Sequence, residues 1–166
     1  MSIVVAGVMG PGKTATEEEI HSAYDLGKQI ARQGWILLTG GRKYGVMDAA
    51  GRGAKSAGGT VVGILPGADT EEASGSVDIP IVTGMMDARN SINVLSSRFL
   101  FFVGMNPGTA SELALTLKYN KPAILISQKE DVIRAFQSMC FNRIEIAADV
   151  SSAIEVARTI ALRNSG

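Results

Sequence analysis

Seven short runs rich in valine, isoleucine and leucine punctuate the chain, and nearly every one is followed by glycine or proline. They fall at 3–6, 35–38, 61–65, 79–82, 99–103, 123–126 and 144–146. Such runs lack the strict alternation of a strand with one wet face; near-continuous apolar strands are those buried on both sides, as in parallel sheets covered by helices. Between them lie amphipathic stretches at 17–33, 46–57, 88–96, 110–118, 131–138 and 151–163, long enough for helices. A sustained βα alternation predicts an α/β chain with a Rossmann-like, doubly wound, mainly parallel sheet and helices on both faces. With no internal repeat and no long linker, 1–166 reads as a single Rossmann-like domain.

Local punctuation agrees with this division. Thr16 with Glu19 three residues on is a capping box, Gly34 stands where the first long helix should stop, and Asp149 or Ser151 can cap the last helix. The one loose segment, 67–76, is acidic and small-residue rich and reads as a mobile surface loop over a ligand. Residues 164–166 read as frayed.

Glycine makes up 19 of the 166 residues, well above the roughly 7% of an average chain. On this reading the glycines gather just after strands: Gly7, Gly10 and Gly12 after the first, Gly40 and Gly41 after the second, Gly67, Gly84, and then Gly104 and Gly108. In open parallel sheets ligands bind outside the carboxyl ends of the strands, where helix N-termini converge. Glycine there lets backbone N–H groups approach a ligand, and the helix N-termini favour an anion. The pattern predicts a broad cleft for a phosphorylated, cofactor-sized ligand.

Composition removes other answers. Sixteen Lys+Arg balance sixteen Asp+Glu, so no basic face is expected to track a nucleic-acid backbone, although a local anion site is allowed. Cys140 is the one cysteine and His21 the one histidine; no internal disulfide and no clustered metal site is expected, which suits a reducing cytoplasm. Cys140 and His21 read as packing or surface residues. No basic region precedes the first apolar run and no run approaches 18 residues, so neither an export signal nor a membrane span is expected.

Residues 7–14, GVMGPGKT, match the P-loop pattern G-x-x-x-x-G-K-[ST]. A working P-loop starts its helix at the Lys-Ser/Thr pair. Here the capping box sets the start near Thr16, Glu17, Glu18 and Glu19 follow at once, and no strand ends in the acid that would hold magnesium. The loop therefore reads as one wall of the cleft, with Lys13 available to a phosphate; a Walker-type nucleotide-binding protein stays as a minor alternative.

The combination of 40–47 (GGRKYGVM), 86–90 (MDARN) and 108–112 (GTASE) resembles the lysine-decarboxylase-like, or LOG-like, Rossmann superfamily. Its signature is a GG-x-x-x-G-x-M loop, an upstream arginine and a PGG-x-GT-x-x-E loop, and the likeness covers nearly the whole chain. Two branches matter. One comprises cytokinin-activating phosphoribohydrolases, N-glycosidases of nucleoside 5′-monophosphates whose catalytic arginine and glutamate match Arg89 and Glu112. The other comprises molybdenum cofactor carriers, which bind the cofactor, a molybdopterin, without changing it. The stretches 33–42 (QGWILLTGGR), 63–70 (GILPGADT), 77–84 (VDIPIVTG) and 104–109 (GMNPGT) look like the carrier branch, and the last departs from PGG-x-GT beside the glutamate.

The resemblance thus implies binding, protection and delivery of the molybdenum cofactor, with no catalytic residues. The implied cofactor-binding set is Gly10, Pro11, Gly12, Lys13, Gly40, Gly41, Arg42, Gly84, Arg89, Asn106, Pro107, Gly108, Thr109 and Glu112. Gly108 and Thr109, at a helix N-terminus, would hold a phosphate or oxyanion opposite Gly40, Gly41 and Arg42. Arg89 could equally pair with Asp87 or Glu112, and Glu112 in a first helical turn would be stabilised by the dipole alone. The implied partners are the cofactor, cofactor-dependent apo-enzymes and further copies of the chain as a dimer or tetramer, with 93–97 and 99–102 as the apolar contact surface.

Overall fold

The computed structural model describes residues 3–139 and 144–163; Cys140 and 164–166, read above as packing and frayed, lie outside the described residues. The elements follow the expected order: β1 (Val5–Met9), α1 (Glu17–Arg32), β2 (Ile36–Thr39), α2 (Gly45–Ser56), β3 (Val61–Leu65) and β4 (Ile79–Val82). A 3-10 turn, Met86–Arg89, then runs into α3 (Asn90–Ser96). After it come β5 (Phe99–Val103), α4 (Pro107–Lys118), β6 (Ala123–Ile126), α5 (Glu130–Gln137), β7 (Ile144–Ala147) and α6 (Val150–Arg163).

The strands form one sheet in the order β4-β3-β2-β1-β5-β6-β7, parallel at every pairing. Alternate residues of each inner strand feed two cores. Val8, Leu37, Phe99, Phe101 and Ile124 pack under α1, α2 and α6. Met9, Leu38, Leu100, Phe102 and Leu125 pack under α3, α4 and α5. Burying each such side chain contributes about 1.5–3 kcal/mol, so the uninterrupted apolar runs are accounted for by two covered faces. The chain winds outward from β1 to β4 and then returns to the far side of β1 as β5. This reversal opens a crevice between the carboxyl ends of β1 and β5, where a doubly wound fold binds its ligand.

Part of the glycine excess has a different explanation from the one expected. Gly27 of α1 and Gly53 of α2 sit where the two helices touch, and a Cβ on either would run into the Ala50 or Tyr24 carbonyl oxygen of the facing helix. These two glycines set a helix spacing that no larger residue permits. Gly7 also leaves the expected loop, because β1 extends to Met9.

Further differences follow from burial. Phe99, Leu100, Phe101 and Phe102, expected to contribute apolar contact surface, are fully buried in the sheet, and Asn93, Val94 and Ser97 are buried in α3 and at its end; of 93–97 only Leu95 and Ser96 are exposed. The exposed apolar residues include Ile79, Ile81 and Val82 on edge strand β4, where Pro80 is tolerated because an edge lacks a second neighbour. Segment 67–76 is anchored rather than loose over its second half. Ser74 N–H donates to the Gly41 carbonyl at 2.8 Å, Lys43 N–H to that of Glu72 at 3.0 Å, and Ser74 Oγ to Asp48 at 2.6 Å. The Thr16–Glu19 capping box forms, Asp149 accepts from Ser152 N–H at 2.8 Å, and Gly34 ends α1 at φ 72°.

Candidate functional site

Strand β1, the loops after β1 and β2, the 3-10 turn and helices α2, α3 and α4 line a cavity of about 300 Å³ at the β1/β5 crevice. That lies at the lower end of small-molecule pockets. Its floor is Val8, Met9 and Gly10 of β1 and the turn beyond; Gly12, Lys13 and Thr14 continue one side. Gly40 and Arg42 come from the loop after β2, with Met47 behind them. The opposite side is Asp87, Arg89 and Asn90 of the 3-10 turn and α3, and Asn106, Gly108, Thr109 and Glu112 of α4.

Ten of the fourteen residues singled out in the sequence therefore line one cavity: Gly10, Gly12, Lys13, Gly40, Arg42, Arg89, Asn106, Gly108, Thr109 and Glu112. The other four stand outside its lining. Pro11 is buried and its carbonyl accepts from Val46 N–H, fixing the start of α2. Gly41 turns at φ 75° against Gly63 of β3. Gly84 bonds Gly67 in the neighbouring loop, and Pro107 occupies the first turn of α4. Sequence reasoning left Val8, Met9, Thr14, Met47, Asp87 and Asn90 out of the site. All six already stood inside the quoted motifs, so motif membership carried a signal that residue type alone obscured.

The positive side of the cavity rests on an aromatic hub. The Lys13 ammonium lies 4.6 Å from the centre of the Tyr44 ring and the Arg42 guanidinium 5.7 Å from it, each contact adding about 0.5–1 kcal/mol at an exposed site. Tyr44 Oη donates to Glu72 at 3.3 Å, and Glu72 also pairs with Lys43 at 3.5 Å. Two cations that would repel each other are thus held on one ring. Gly40 is forced by close approach: a Cβ there would stand 2.8 Å from both Arg89 Nη2 and Met47 Sδ.

The opposite side is a buried polar knot. Arg89 is only 7% exposed; its Nη1 donates to Asn90 Oδ1 at 2.7 Å and its Nη2 reaches the Gly40 carbonyl at 3.4 Å. It pairs with Glu112 at 3.6 Å, which settles the choice between Asp87 and Glu112. Asn93 Nδ2 donates to Glu112 Oε1 at 2.9 Å. Burial pushes the Glu112 carboxyl up to about 7, against the opposing pull of the Asn93 hydrogen bond and the Arg89 charge. Burial also lowers the Arg89 pKa, Glu112 partly offsetting it, but an arginine remains charged. Arg89 Nε and Asn93 Oδ1 have no hydrogen-bond partner. Unpaired buried polar atoms are costly and are retained where something else completes them.

Helix α4 begins three residues earlier than the sequence suggested, which moves Glu112 out of the first turn. Its state is therefore set by burial and by Arg89 and Asn93, with the dipole playing little part. At the helix start Asn106 Oδ1 accepts from Thr109 N–H at 2.9 Å and from Thr109 Oγ1 at 3.0 Å. The side-chain carbonyl thus occupies one of the donors expected to hold an anion, and Gly108 is left beside it on the cavity wall.

Among the described residues no group of three or more His, Cys, Asp or Glu could hold a metal ion, and no helix is long and apolar enough to cross a membrane. His21 is exposed on α1.

Residues 3–162 match the model of the SLOG cluster 4 family. The structure of the molybdenum cofactor binding protein from the phototrophic bacterium Rippkaea orientalis superposes with a TM-score of 0.95 at 46% identity, covering 97% of this chain and 99% of that one. The molybdenum cofactor carrier protein of Chlamydomonas reinhardtii superposes with a TM-score of 0.93 at 49% identity, over 97% and 99% of the two chains. A cytokinin riboside 5′-monophosphate phosphoribohydrolase from Rhodococcoides fascians is 31% identical over 137 residues, 76% of this chain and 67% of that protein.

Proposed function

The chain belongs to the SLOG cluster 4 family, and from that premise we propose that it binds the molybdenum cofactor, protects it and delivers it unchanged to apo-enzymes that need it. One observation carries the reading. A chain sharing 46–49% identity with molybdenum cofactor binding and carrier proteins over nearly its whole length places Lys13, Arg42 and Arg89 around a glycine-walled cavity at the switch point of the sheet.

The cofactor is a pterin with a terminal phosphate and a dithiolene that holds molybdenum and oxo groups, so it is anionic at both ends. Lys13, Arg42 and Gly108 suit an oxyanion, the cations by charge and Gly108 through the helix N-terminus. The unpartnered Nε of Arg89 is a buried donor for the same purpose. Gly10, Gly12 and Gly40 keep the wall low enough for backbone contact. Protein incubated with cofactor released from a donor enzyme should retain it through gel filtration, slow its oxidation and restore activity to a cofactor-free apo-enzyme. No retention at micromolar concentrations overturns the reading.

A second reading is favoured by the Arg89–Glu112 pair and the near-neutral Glu112 carboxyl: cleavage of the N-glycosidic bond of a nucleoside 5′-monophosphate, with Glu112 as the proton-carrying group. Incubation with AMP followed by chromatography separates the two, since the carrier releases no adenine and the hydrolase does. The finer setting belongs to the same proposal: a cytoplasmic protein working as a dimer or tetramer. The exposed apolar side chains of β4, Ile79, Ile81 and Val82, suit a subunit contact, and light scattering reads the mass directly.

A further inference from the structure

Beside the anion cavity lies a second one of about 200 Å³ whose walls are of another kind. Leu65, Pro66 and Met86 give it apolar sides, and Gly67 leaves its edge open. Arg42 lines both cavities, and Met86 of the second is followed directly by Asp87 of the first. The two are therefore neighbouring compartments, one polar and cationic, the other with apolar sides and a charged edge.

The rim of the second compartment is rigid. Thr83 Oγ1 donates to the Leu65 carbonyl at 2.7 Å, Gly84 N–H to that of Gly67 at 2.8 Å and Met86 N–H to that of Pro66 at 3.0 Å. Met86 is held at φ 48°, a left-handed conformation that costs a non-glycine residue about 1–2 kcal/mol. Its side chain is nonetheless 65% exposed, so the strain is not repaid by core packing.

Two carboxylates, Asp69 and Glu72, complete the wall. Glu72 Oε1 takes Tyr44 and Lys43 and Asp69 Oδ1 takes Glu71 N–H, but an ionised carboxylate has about four acceptor sites. Apolar sides, a thioether, a guanidinium and acceptor-only groups at the edge describe the recognition of a flat ring with adjacent N–H donors.

We propose that the compartment bounded by Leu65, Pro66, Gly67 and Met86 binds a heteroaromatic ring carrying a 2-amino-4-oxopyrimidine edge, with Glu72 and Asp69 accepting from that edge and Arg42 lying between ring and anion. On the carrier reading, on which this rests, that ring is the pterin.

The test uses three probes on the full chain. Pterin itself, followed by its own fluorescence polarisation, should bind the wild type, and inorganic phosphate should bind the first cavity without displacing it. GMP, which shares the donor edge, should compete with pterin, and AMP, which lacks it, at least tenfold less well. A Cβ at Gly67 would meet no heavy atom within 4 Å, so Gly67→Phe should fold normally with its ring over the compartment, weaken pterin and cofactor binding at least tenfold and leave phosphate binding within twofold. Glu72→Gln should weaken pterin several-fold. Undiminished pterin and cofactor binding by Gly67→Phe overturns the ring compartment while the wild type still carries cofactor. Equal competition by AMP overturns the carboxylate recognition. A wild type that binds pterin but releases cofactor on gel filtration overturns the carrier reading alone.

Discussion

The two walls of the anion cavity are built on opposite plans. Lys13, Arg42 and the glycines of the β1 and β2 loops form a wall of backbone and half-exposed cations steadied on Tyr44. Arg89 and Glu112, each at 7% exposure and backed by the fully buried Asn93, form a wall of interlocked buried polar groups. The first can adjust to a ligand at little cost to the fold; the second is part of the fold. Substitutions on the two sides should therefore separate binding from stability.

The largest effect is expected at Arg89. Removing it by Arg89→Ala leaves Glu112 buried without its charge partner, which costs about 3–5 kcal/mol in comparable buried pairs. Urea unfolding should show it, and Arg89→Ala with Glu112→Gln should recover a large part of the loss. A change below 1 kcal/mol would mean that the buried wall is no more integral than the exposed one.

Next comes the pH dependence carried by Glu112. Its folded pKa of about 7 lies above its ordinary value of 4.5, so the folded state keeps a proton that the unfolded state gives up. Stability from this group is present at low pH and is lost as pH rises from about 4.5 to 7, by on the order of 3 kcal/mol in total. Glu112→Gln has no proton to lose, so its stability relative to wild type should rise between pH 5 and pH 8. Parallel unfolding curves at both pH values would contradict the assignment.

A smaller effect, shared between the walls, is expected at Gly40. Gly40→Ala presses a methyl group against Arg89 and Met47; crowding of this sort costs about 1–3 kcal/mol and should weaken anion binding as well. The smallest stability change belongs to Lys13→Ala, which removes one exposed cation–π contact worth about 0.5–1 kcal/mol. Its effect should appear instead in ligand affinity, and should shrink as salt is added.

The fold was legible from the inner strands because two-sided burial writes itself into composition: β3, β5 and β6 begin and end at the residues where their apolar runs do, and β4 does so although its run is exposed on the sheet edge. A helix start hidden by propensity was read less well. α4 opens with Pro107 and Gly108, which propensity alone assigns to a loop, and only Asn106 reaching over to Thr109 identifies the true first turn. That displacement of three residues changed the environment assigned to Glu112. The residues of the second compartment lay in stretches already singled out, but nothing in the sequence joined them, since its walls come from the β3 loop, the segment after β4 and Arg42.

By itself the sequence determined the layer plan and gathered the candidate binding residues at the carboxyl edge of the sheet, because both depend on local periodicity and glycine placement. Tertiary structure decided what those residues are to one another. It made Gly27 and Gly53 a helix contact, turned residues 99–102 from expected contact surface into core, and joined Arg89, Asn93 and Glu112 in one buried network. The reason is physical: burial and pairing energies depend on distances across the fold, and positions far apart in sequence acquire those distances only when the sheet is wound.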